Sequence, residues 1–286
     1  MKKITVFGAT GMIGIPVTKE LIKAGFDVTA LVRNVEKAKL IFPSGVKFVK
    51  GDLDNPASIA ESLKNTEGVY INISTRPDDK EHAFNPEMGG LDNILAAIKQ
   101  SDAQQVAYLS SFLARNYQGD WWVMNAKKSS ITKVKNCGKP YTIFYPSNFM
   151  ENFANGMVRN GKITVPTTSV NNKAWWIAGE DFGRSVANAF KTEQALNKEY
   201  SVQGQEDLTM KEAAEKYASS YAQTKLKVGS MPLGVMKLLG YLVPQMKFVS
   251  KLMNVMLNNV ETFEAQKTWD ELGKPNLTIT QFAKQA

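Results

Sequence analysis

The segment VFGATGMIG, residues 6–14, constrains the fold of this chain more than any other stretch. A short apolar run leads into Gly8, Gly11 and Gly14, and a run with helical periodicity follows. This context predicts a turn that holds a dinucleotide, with the phosphates over the start of the helix. Gly8 permits the sharp bend, Gly11 lets the pyrophosphate approach the backbone, and Gly14 lets the helix pack close to the sheet. The alternative is a glycine turn without a ligand.

Strand-like and helix-like runs alternate along the first half of the chain. The strand-like runs are KITVFG, FDVTALVR, VKFVKGD, GVYINIS, QQVAYLSSF and PYTIFYP. Apolar strands between amphipathic segments are typical of an α/β fold, so we predict a doubly wound parallel Rossmann sheet. The alternation loosens after about residue 150. We therefore expect a nucleotide-binding Rossmann domain at 1–150 and a smaller, mostly helical C-terminal substrate lobe at 151–286, with about 174–195 packing back onto the first domain.

The composition argues against several kinds of site. The 286 residues include one cysteine, Cys137, and one histidine, His82, which lies in a polar loop. We therefore expect no disulfide, no metal and no Ser-His-Asp triad, and a reducing, cytoplasmic location. The net charge is +8, but no basic motif with interleaved aromatics occurs, and the apolar runs are too short or too charged to span a bilayer. We expect neither a nucleic acid partner nor integral membrane association.

The end of the second predicted strand favours one kind of dinucleotide. Asp27 lies about 20 residues after the glycine turn, where an acid often binds the adenosine ribose. However, Asp27 begins its strand, on the order of 18 Å from the carboxyl end where ligands bind. Arg33 lies at that end, with Lys37 one helical turn further on. A guanidinium suits a 2′-phosphate, so we predict NADP(H) rather than NADH. The alternative for Arg33 is a solvated loop arginine.

Several motifs then occur in an order that identifies a family. They are GATGMIG, LVRNVEKA, GDLDNPASI, NPEMGGLDNILAAIKQS and PYTIFYPSNFMEN, followed by TWDELGKPNLTITQFA near the C-terminus. In this order they resemble the NmrA-like family of atypical short-chain dehydrogenases/reductases. That family comprises NADPH-dependent quinone and related reductases, and also redox-sensing regulators that bind the cofactor and catalyse little.

The resemblance implies cofactor contacts at the ends of the predicted strands. The residues implied for the pyrophosphate are Gly8, Thr10, Gly11, Met12 and Ile13, with Gly14 in the same turn. Arg33 and Lys37 are implied for the 2′-phosphate, and Asp52 and Leu53 for the adenine. The nicotinamide ribose is expected beside Ile73 and Ser74, and the nicotinamide beside Pro146, Asn148 and Phe149. The resemblance also places Ser110 and Ser111 beside the reacting ring.

The segment WWVMNAKKSSITKV departs from the usual short-chain dehydrogenase pattern. Those enzymes carry a tyrosine four residues before a lysine, and the pair moves a proton. Spacing and helical phase identify the lysine as Lys127, whereas Lys128 lies on another face. Val123 occupies the tyrosine position, which puts the usual proton relay in doubt. Lys127, Ser110 and Ser111 are the catalytic candidates that remain. The alternative for Lys127 is an ordinary surface lysine.

The remaining aromatic residues admit two interpretations each. Tyr117 is either an acid that swings into the site or, as we favour, a surface loop residue. The tryptophan pairs at 121–122 and 175–176 either stack on a planar substrate or pack within the core and the lobe.

The stretch between Glu215 and Glu261 contains six lysines, no acid and many apolar residues. It is typical of an apolar lid, of an amphipathic segment that binds a membrane or a partner, or of core packing with lysines turned outward. We favour a combination of lid and core.

These features together predict an NADPH-dependent reductase that transfers hydride to a small, apolar, planar electrophile such as a quinone. The alternative is a non-catalytic NADP(H)-sensing regulatory protein that acts through a partner. A sugar-nucleotide enzyme of the extended short-chain type is disfavoured, because such enzymes generally need the missing tyrosine. The sequence leaves open whether the protein is a monomer or a dimer.

Overall fold

The computed structural model describes residues 1–167 and 172–286. Its strands are β1 Lys3–Phe7, β2 Asp27–Val32, β3 Val46–Lys50, β4 Gly68–Ile71, β5 Gln105–Leu109, β6 Tyr141–Pro146, β7 Val158–Arg159, β8 Lys162–Pro166, β9 Lys173–Trp175, β10 Lys198–Val202, β11 Asp207–Thr209 and β12 Lys227–Met231. Its α-helices are α1 Gly14–Lys23, α2 Val35–Ile41, α3 Pro56–Ser62, α4 Leu91–Lys99, α5 Phe112–Arg115, α6 Trp122–Lys135, α7 Gly179–Ala189, α8 Met210–Ser220, α9 Leu233–Leu239, α10 Pro244–Asn258, α11 Gln266–Leu272 and α12 Ile279–Gln285.

One parallel sheet organises the molecule. Within the described residues it has seven strands in the order β10-β6-β5-β4-β1-β2-β3. The strand order reverses between β1 and β4, which is the point where ligands bind in doubly wound sheets. The predicted doubly wound parallel fold is therefore confirmed.

Both faces of the sheet are covered, as the nearly continuous apolar strands require. On one face α1 and α7 pack through side chains such as Val17 and Phe182. On the other face α3, α4 and α6 pack through side chains such as Ile59, Ile94 and Val134. The carboxyl ends of the strands stay uncovered by these helices, because each strand runs there into the loop that precedes the next helix.

Several helices begin at residues whose side chains cap them. Asn34 accepts a hydrogen bond from the backbone amide of Lys37 at the start of α2. Asn55 does the same for Ser58 at the start of α3. At α8, Thr209 forms a capping box with Glu212 three residues later. These caps satisfy amides that would otherwise lack partners in the first helical turn.

The chain returns to the Rossmann sheet after residue 150. Helix α7 packs against α1, and its Phe182 and Val186 lie in the main core. The return continues beyond 174–195, because β10 pairs in parallel with β6 and becomes an edge strand of the sheet. The division of the chain into domains at residue 150 stays a prediction.

Most of the other elements after residue 150 form a lobe, part of which meets the carboxyl ends of β5 and β6. Two small sheets, β12-β8-β7 and β11-β9, pack with α8 and α12 around Phe153, Trp176 and Tyr217. The α9–α10 hairpin, residues 233–258, exposes Leu238, Tyr241 and Leu242 at or near its turn. Among the described helices, none is long and apolar enough to cross a membrane.

Candidate active site

A groove of about 400 Å³ follows the carboxyl ends of β1, β2, β3 and β4. The structure brings together in its lining many of the predicted cofactor residues, namely Gly8, Thr10, Gly11, Arg33, Asp52, Leu53, Ile73 and Ser74. Met12, Ile13, Gly14 and Lys37 are not part of this lining. Sequence reasoning missed Asn72, whose backbone closes one side of the glycine turn. The volume is in the usual range for a small-molecule site.

The three glycines of the turn have different structural reasons. Gly8 has a φ of +86°, and a methyl group there would lie 1.9 Å from the carbonyl oxygen of Asn72. A methyl group at Gly14 would lie 1.9 Å from the carbonyl oxygen of Gly8, so close packing requires this glycine as well. At Gly11 the nearest atom would be 3.3 Å away, and the residue is exposed. The fold thus needs Gly8 and Gly14, whereas Gly11 leaves the groove open to a ligand.

The turn leads directly into α1, and the start of this helix suits an anion. Ile13 is the N-cap residue, and within the described structure no side chain caps it and no acid lies in the first turn. The first amides of a helix need acceptors, and the positive end of its dipole favours phosphate. The open turn and the uncapped helix therefore fit the pyrophosphate of a dinucleotide.

At the far side of the groove, Arg33 follows β2 and is exposed. Lys37 lies one turn into α2, where the cap from Asn34 fixes its backbone. The carboxylate of Asp52 accepts a hydrogen bond of 2.8 Å from the amide of Leu53, which orders the turn after β3. Arg33, Lys37 and Asp52 thus lie at or beside the end of the groove where the sequence predicts the adenosine part of the cofactor.

Lys127 is buried beneath the edge between β4 and β5. Its ammonium donates to the carbonyl oxygen of Ile73 at 2.9 Å, to that of Leu109 at 3.3 Å and to the carboxylate of Glu87. The alternative of a surface lysine is wrong. This burial agrees with the helical phase used to choose Lys127 over Lys128, since Val123, one turn earlier, is buried as well and Lys128 is less so. Lys127 lies beside the groove without lining it.

Glu87, in the π-helical turn Pro86–Gly90, is the centre of a buried polar cluster. Besides Lys127, it accepts hydrogen bonds from the Tyr108 hydroxyl at 2.8 Å and from Ser130 Oγ at 3.0 Å. Burial, and then the Glu87 carboxylate, raise the pKa of Tyr108 well above its usual value. Tyr108 therefore stays neutral and is unsuited to release a proton.

A second, smaller cavity lies at the ends of β5 and β6 and has a volume of about 70 Å³. From the sheet side it is lined by Ser111, Pro146, Ser147 and Asn148, and from the α9–α10 hairpin by Met253, Met256 and Leu257. We call it the apolar pocket. Other residues of the hairpin, such as Met236, are buried. The hairpin thus contributes both to the wall of the pocket and to the core, and its action as a lid stays a prediction.

Two other implied residues lie close to this edge without lining the pocket. Ser110 is buried, and its hydroxyl has no hydrogen-bond partner among the described residues. Phe149 packs edge-on against Phe182, with ring centroids 5.4 Å apart. Ser111 accepts a hydrogen bond from the amide of Leu113 and so also begins α5. Of the two serines, Ser111 is the one whose side chain borders the pocket.

Most of the remaining aromatic residues serve packing. Trp121 meets Phe248 edge-on at 5.1 Å, and Trp176 stacks on Phe153 at 5.0 Å. None of the described tryptophans lines the apolar pocket. Tyr117 is buried, and its hydroxyl accepts a hydrogen bond from the amide of Trp121. The expectation of a surface tyrosine is therefore wrong, because Tyr117 lies in a buried apolar cluster with Trp121 and Val255.

Glu261 completes the wall of the apolar pocket. Its carboxylate accepts hydrogen bonds from Ser147 Oγ at 2.7 Å and from Gln203 Nε2 at 2.6 Å. Burial raises the pKa of Glu261 to about 7 despite these donors. Sequence reasoning missed this residue as a site residue. The available signal was its position as the first acid after the lysine-rich stretch.

Comparison with known proteins relates this architecture to one family. The model of the NmrA-like family matches residues 1–276. Photosystem II assembly factor Ycf39 of Trieres chinensis is 23% identical over 93% of this chain and 85% of its own. The matches to Ycf39 of Cyanophora paradoxa and Guillardia theta span 52% and 54% of those proteins. NAD(P)H azoreductase of Xenophilus azovorans is 25% identical over 74% of this chain and 71% of its own.

Solved structures share the fold over nearly the whole chain. Triphenylmethane reductase of Citrobacter sp., complexed with NADP(H), has a TM-score of 0.78 at 17% identity, covering 99% of both chains. The NADPH-dependent quinone oxidoreductase QOR2 of Escherichia coli, complexed with NADPH, has a TM-score of 0.76 at 19% identity, again covering 99% of both chains.

Proposed function

This chain belongs to the NmrA-like family, and on that premise we propose that it is an NADP(H)-dependent reductase of apolar, planar electrophiles such as quinones. The observation that carries the proposal is the placement of the apolar pocket. The nucleotide groove follows β1 to β4, and the pocket opens at β5 and β6, the next strands along the same edge. A nucleotide and a small apolar molecule can therefore meet at that edge.

The groove residues would hold the cofactor, which when bound supplies hydride to the electrophile. Gly11 and the start of α1 receive the pyrophosphate, and Arg33 pairs with the 2′-phosphate. The azoreductase, the dye reductase and the quinone oxidoreductase to which the chain is similar support this choice of nucleotide and reaction type.

The apolar pocket selects the electrophile. Methionine and leucine side chains from α10 form one wall, and they adapt to flat, irregular ligands. A volume of about 70 Å³ holds only a few water molecules. The hairpin wall must therefore move outward to admit a substrate and then exclude water around it.

Lys127 and the two serines have distinct roles in this proposal. Lys127 fixes the carbonyl ends of β4 and β5, beside the expected position of the nicotinamide ribose. Ser111 borders the pocket and can hold an electrophile oxygen, whereas Ser110 offers a buried, unpaired hydroxyl close by. Val123 removes the usual tyrosine donor. Quinones depend less on this tyrosine than ketones do, because their reduced oxygens are much less basic than an alkoxide and another acid can protonate them.

A second candidate function is a non-catalytic NADP(H)-sensing protein that acts through a partner. The missing tyrosine and the exposed apolar turn of the α9–α10 hairpin favour it, since such a surface can bind a partner. The similarity to proteins named photosystem II assembly factors also supports it. We favour the reductase, because a sensor does not need an apolar pocket beside the nicotinamide.

The test is NADPH oxidation by the purified protein with 1,4-naphthoquinone, enones, aldehydes and aliphatic ketones as electrophiles. We expect turnover with the quinone and little or none with aliphatic ketones. If the protein binds NADPH but none of these electrophiles leads to its oxidation, while the nucleotide controls partner binding, the sensor function is correct.

We also place the protein in the cytoplasm, where its buried free thiol at Cys137 would stay reduced.

A further inference from the structure

We propose that Glu261 is the proton donor of this reductase and takes over the role of the missing tyrosine. The inference rests on the proposed function. It concerns a group from the C-terminal lobe, whereas the usual donor comes from α6.

The position of the carboxyl group is the first argument. Glu261 lies three residues after the end of α10 and lines the apolar pocket together with Ser111 and Pro146. Hydrogen bonds from Ser147 and Gln203 hold one carboxyl oxygen each. An electrophile in this pocket would therefore contact a carboxyl group whose orientation is fixed before it binds.

The protonation state is the second argument. Lys173, which also lines the pocket, pairs with Asp207, and Arg115 pairs with Glu264. Glu261 itself has no ion pair within the described residues. Burial raises its pKa to about 7, and the nearby Glu264 acts in the same direction. At neutral pH the acid and base forms are then both populated, as a group that donates a proton and regains it requires.

The alternative hydroxyl donors are unsuitable. Tyr108 donates to Glu87, and burial and this carboxylate raise its pKa. Burial and a hydrogen bond to Glu199 likewise raise the pKa of Tyr145. The Tyr117 hydroxyl accepts a hydrogen bond from the backbone and does not line the pocket. Among these groups, only Glu261 is both acidic enough and in contact with the pocket.

The proposed step balances in atoms and electrons. A bound reduced nicotinamide would supply hydride, that is two electrons and one hydrogen, to the electrophile and would itself be oxidised. The negative charge that results on the electrophile is neutralised when the O–H bond of Glu261 breaks and a new bond to hydrogen forms on the product. The Glu261 carboxylate then takes up a proton from water. For a phenol-like product oxygen, of pKa about 10, transfer from this carboxyl group is downhill.

The first test does not depend on catalysis. Infrared difference spectra of the full-length protein without nucleotide, recorded between pH 5 and 9, should show protonated-carboxyl absorption that disappears near pH 7. Two residues should contribute to it, Glu261 and Glu151, because burial also raises the pKa of Glu151 to about 7. The Glu261 component should be missing in Glu261→Gln and should persist in Glu151→Gln. Glu271→Gln should retain both components, since Glu271 also accepts a hydroxyl hydrogen bond but lies outside the pocket. A wild-type spectrum unchanged by Glu261→Gln would overturn the proposal.

The second test is the pH profile of kcat/KM for 1,4-naphthoquinone with NADPH. We expect the wild-type value to fall above about pH 7, and Glu261→Gln to be at least about ten-fold slower at pH 6 with a flat profile. NADPH affinity should not change. A wild-type profile in Glu261→Gln contradicts the role of Glu261. Absence of turnover in wild type contradicts the proposed function instead, and the infrared titration separates these two failures.

Discussion

The ammonium of Lys127 lies 2.9 Å from the carbonyl oxygen of Ile73, so the middle of α6 is joined to the end of β4 through the sheet edge. The same ammonium is paired with Glu87, which is almost completely buried. Removal of one partner of a buried ion pair strongly destabilises the folded protein, because the remaining charge stays buried without a counter-charge.

Lys127→Ala should therefore lower the free energy of unfolding by about 3–5 kcal/mol and weaken NADPH binding or turnover. Lys128→Ala is the matched control, because Lys128 donates only to the backbone oxygen of Tyr117 and should change little. In Lys127→Met with Glu87→Gln, much of the stability should return. Urea unfolding and nucleotide titration measure both effects. If Lys127→Ala and Lys128→Ala had the same stability and the same NADPH affinity, the assignment of Lys127 as the functional lysine of α6 would be wrong.

The glycine turn predicts a separation between stability and binding. Gly11→Ala should change the free energy of unfolding by less than about 1 kcal/mol relative to wild type, because a methyl group nearly fits. The same variant should bind NADPH at least about ten-fold more weakly. Gly14→Ala should cost more than about 2 kcal/mol in stability, because the methyl group meets the backbone of Gly8. Titration calorimetry measures the NADPH affinity of each variant, and thermal unfolding measures its stability. Tight NADPH binding by Gly11→Ala would contradict the placement of the phosphates.

Arg33 predicts the preference between nucleotides. NADPH should bind at least ten-fold tighter than NADH, a difference of about 1.4 kcal/mol or more, and Arg33→Ala should remove most of it. Arg159→Ala, at an exposed arginine of the lobe, is the control. Titration of both nucleotides against each variant is the measurement, and equal affinities in wild type would refute the prediction.

Glu151 predicts a pH dependence of stability. One carboxyl oxygen accepts a hydrogen bond from the amide of Gly179, the other has no partner among the described residues, and burial raises the pKa from 4.5 to about 7. The folded state therefore holds this proton more tightly than the unfolded state, so stability should fall as pH rises from about 4.5 to 7, by about 3 kcal/mol for this group.

In Glu151→Gln this decline should become shallower, with the variant more stable than wild type at pH 8 and similar at pH 5. Glu261 contributes in the same direction, so part of the decline should persist. Glu271→Gln should keep the wild-type slope. Urea unfolding at the two pH values is the measurement, and parallel slopes in wild type and Glu151→Gln would disprove this prediction.

Val123 predicts that the usual donor cannot simply be restored. The residue is buried against Trp121, Met124 and Val255, so a larger ring should destabilise the protein by about 1–3 kcal/mol. Val123→Tyr should not raise quinone turnover, and it should match Val123→Phe, which has the same ring without the hydroxyl. A large excess of Val123→Tyr over Val123→Phe in kcat/KM would argue for a tyrosine relay.

The fold and the nucleotide groove were predictable because their determinants are local. The glycine turn, the strand ends and the caps each lie within a few residues, and the periodicity of α6 was enough to place Lys127 on its buried face. The polar partners were not predictable. Glu87 lies 40 residues from Lys127, and Glu261 lies 114 residues from Ser147, so their contacts depend on how the lobe and the helices pack.

The two walls of the apolar pocket come from separate parts of the chain. The sheet wall belongs to the same parallel sheet that positions the nucleotide, whereas Met253, Met256, Leu257 and Glu261 belong to one short stretch of the lobe. Mutations in that stretch can alter the accepted molecule while the phosphate turn is left intact, much as loops diversify on a fixed scaffold. Substrate range in such a protein can therefore diverge among descendants much faster than nucleotide choice, and exchange of this single stretch is a practical route to transplant one specificity onto another chain.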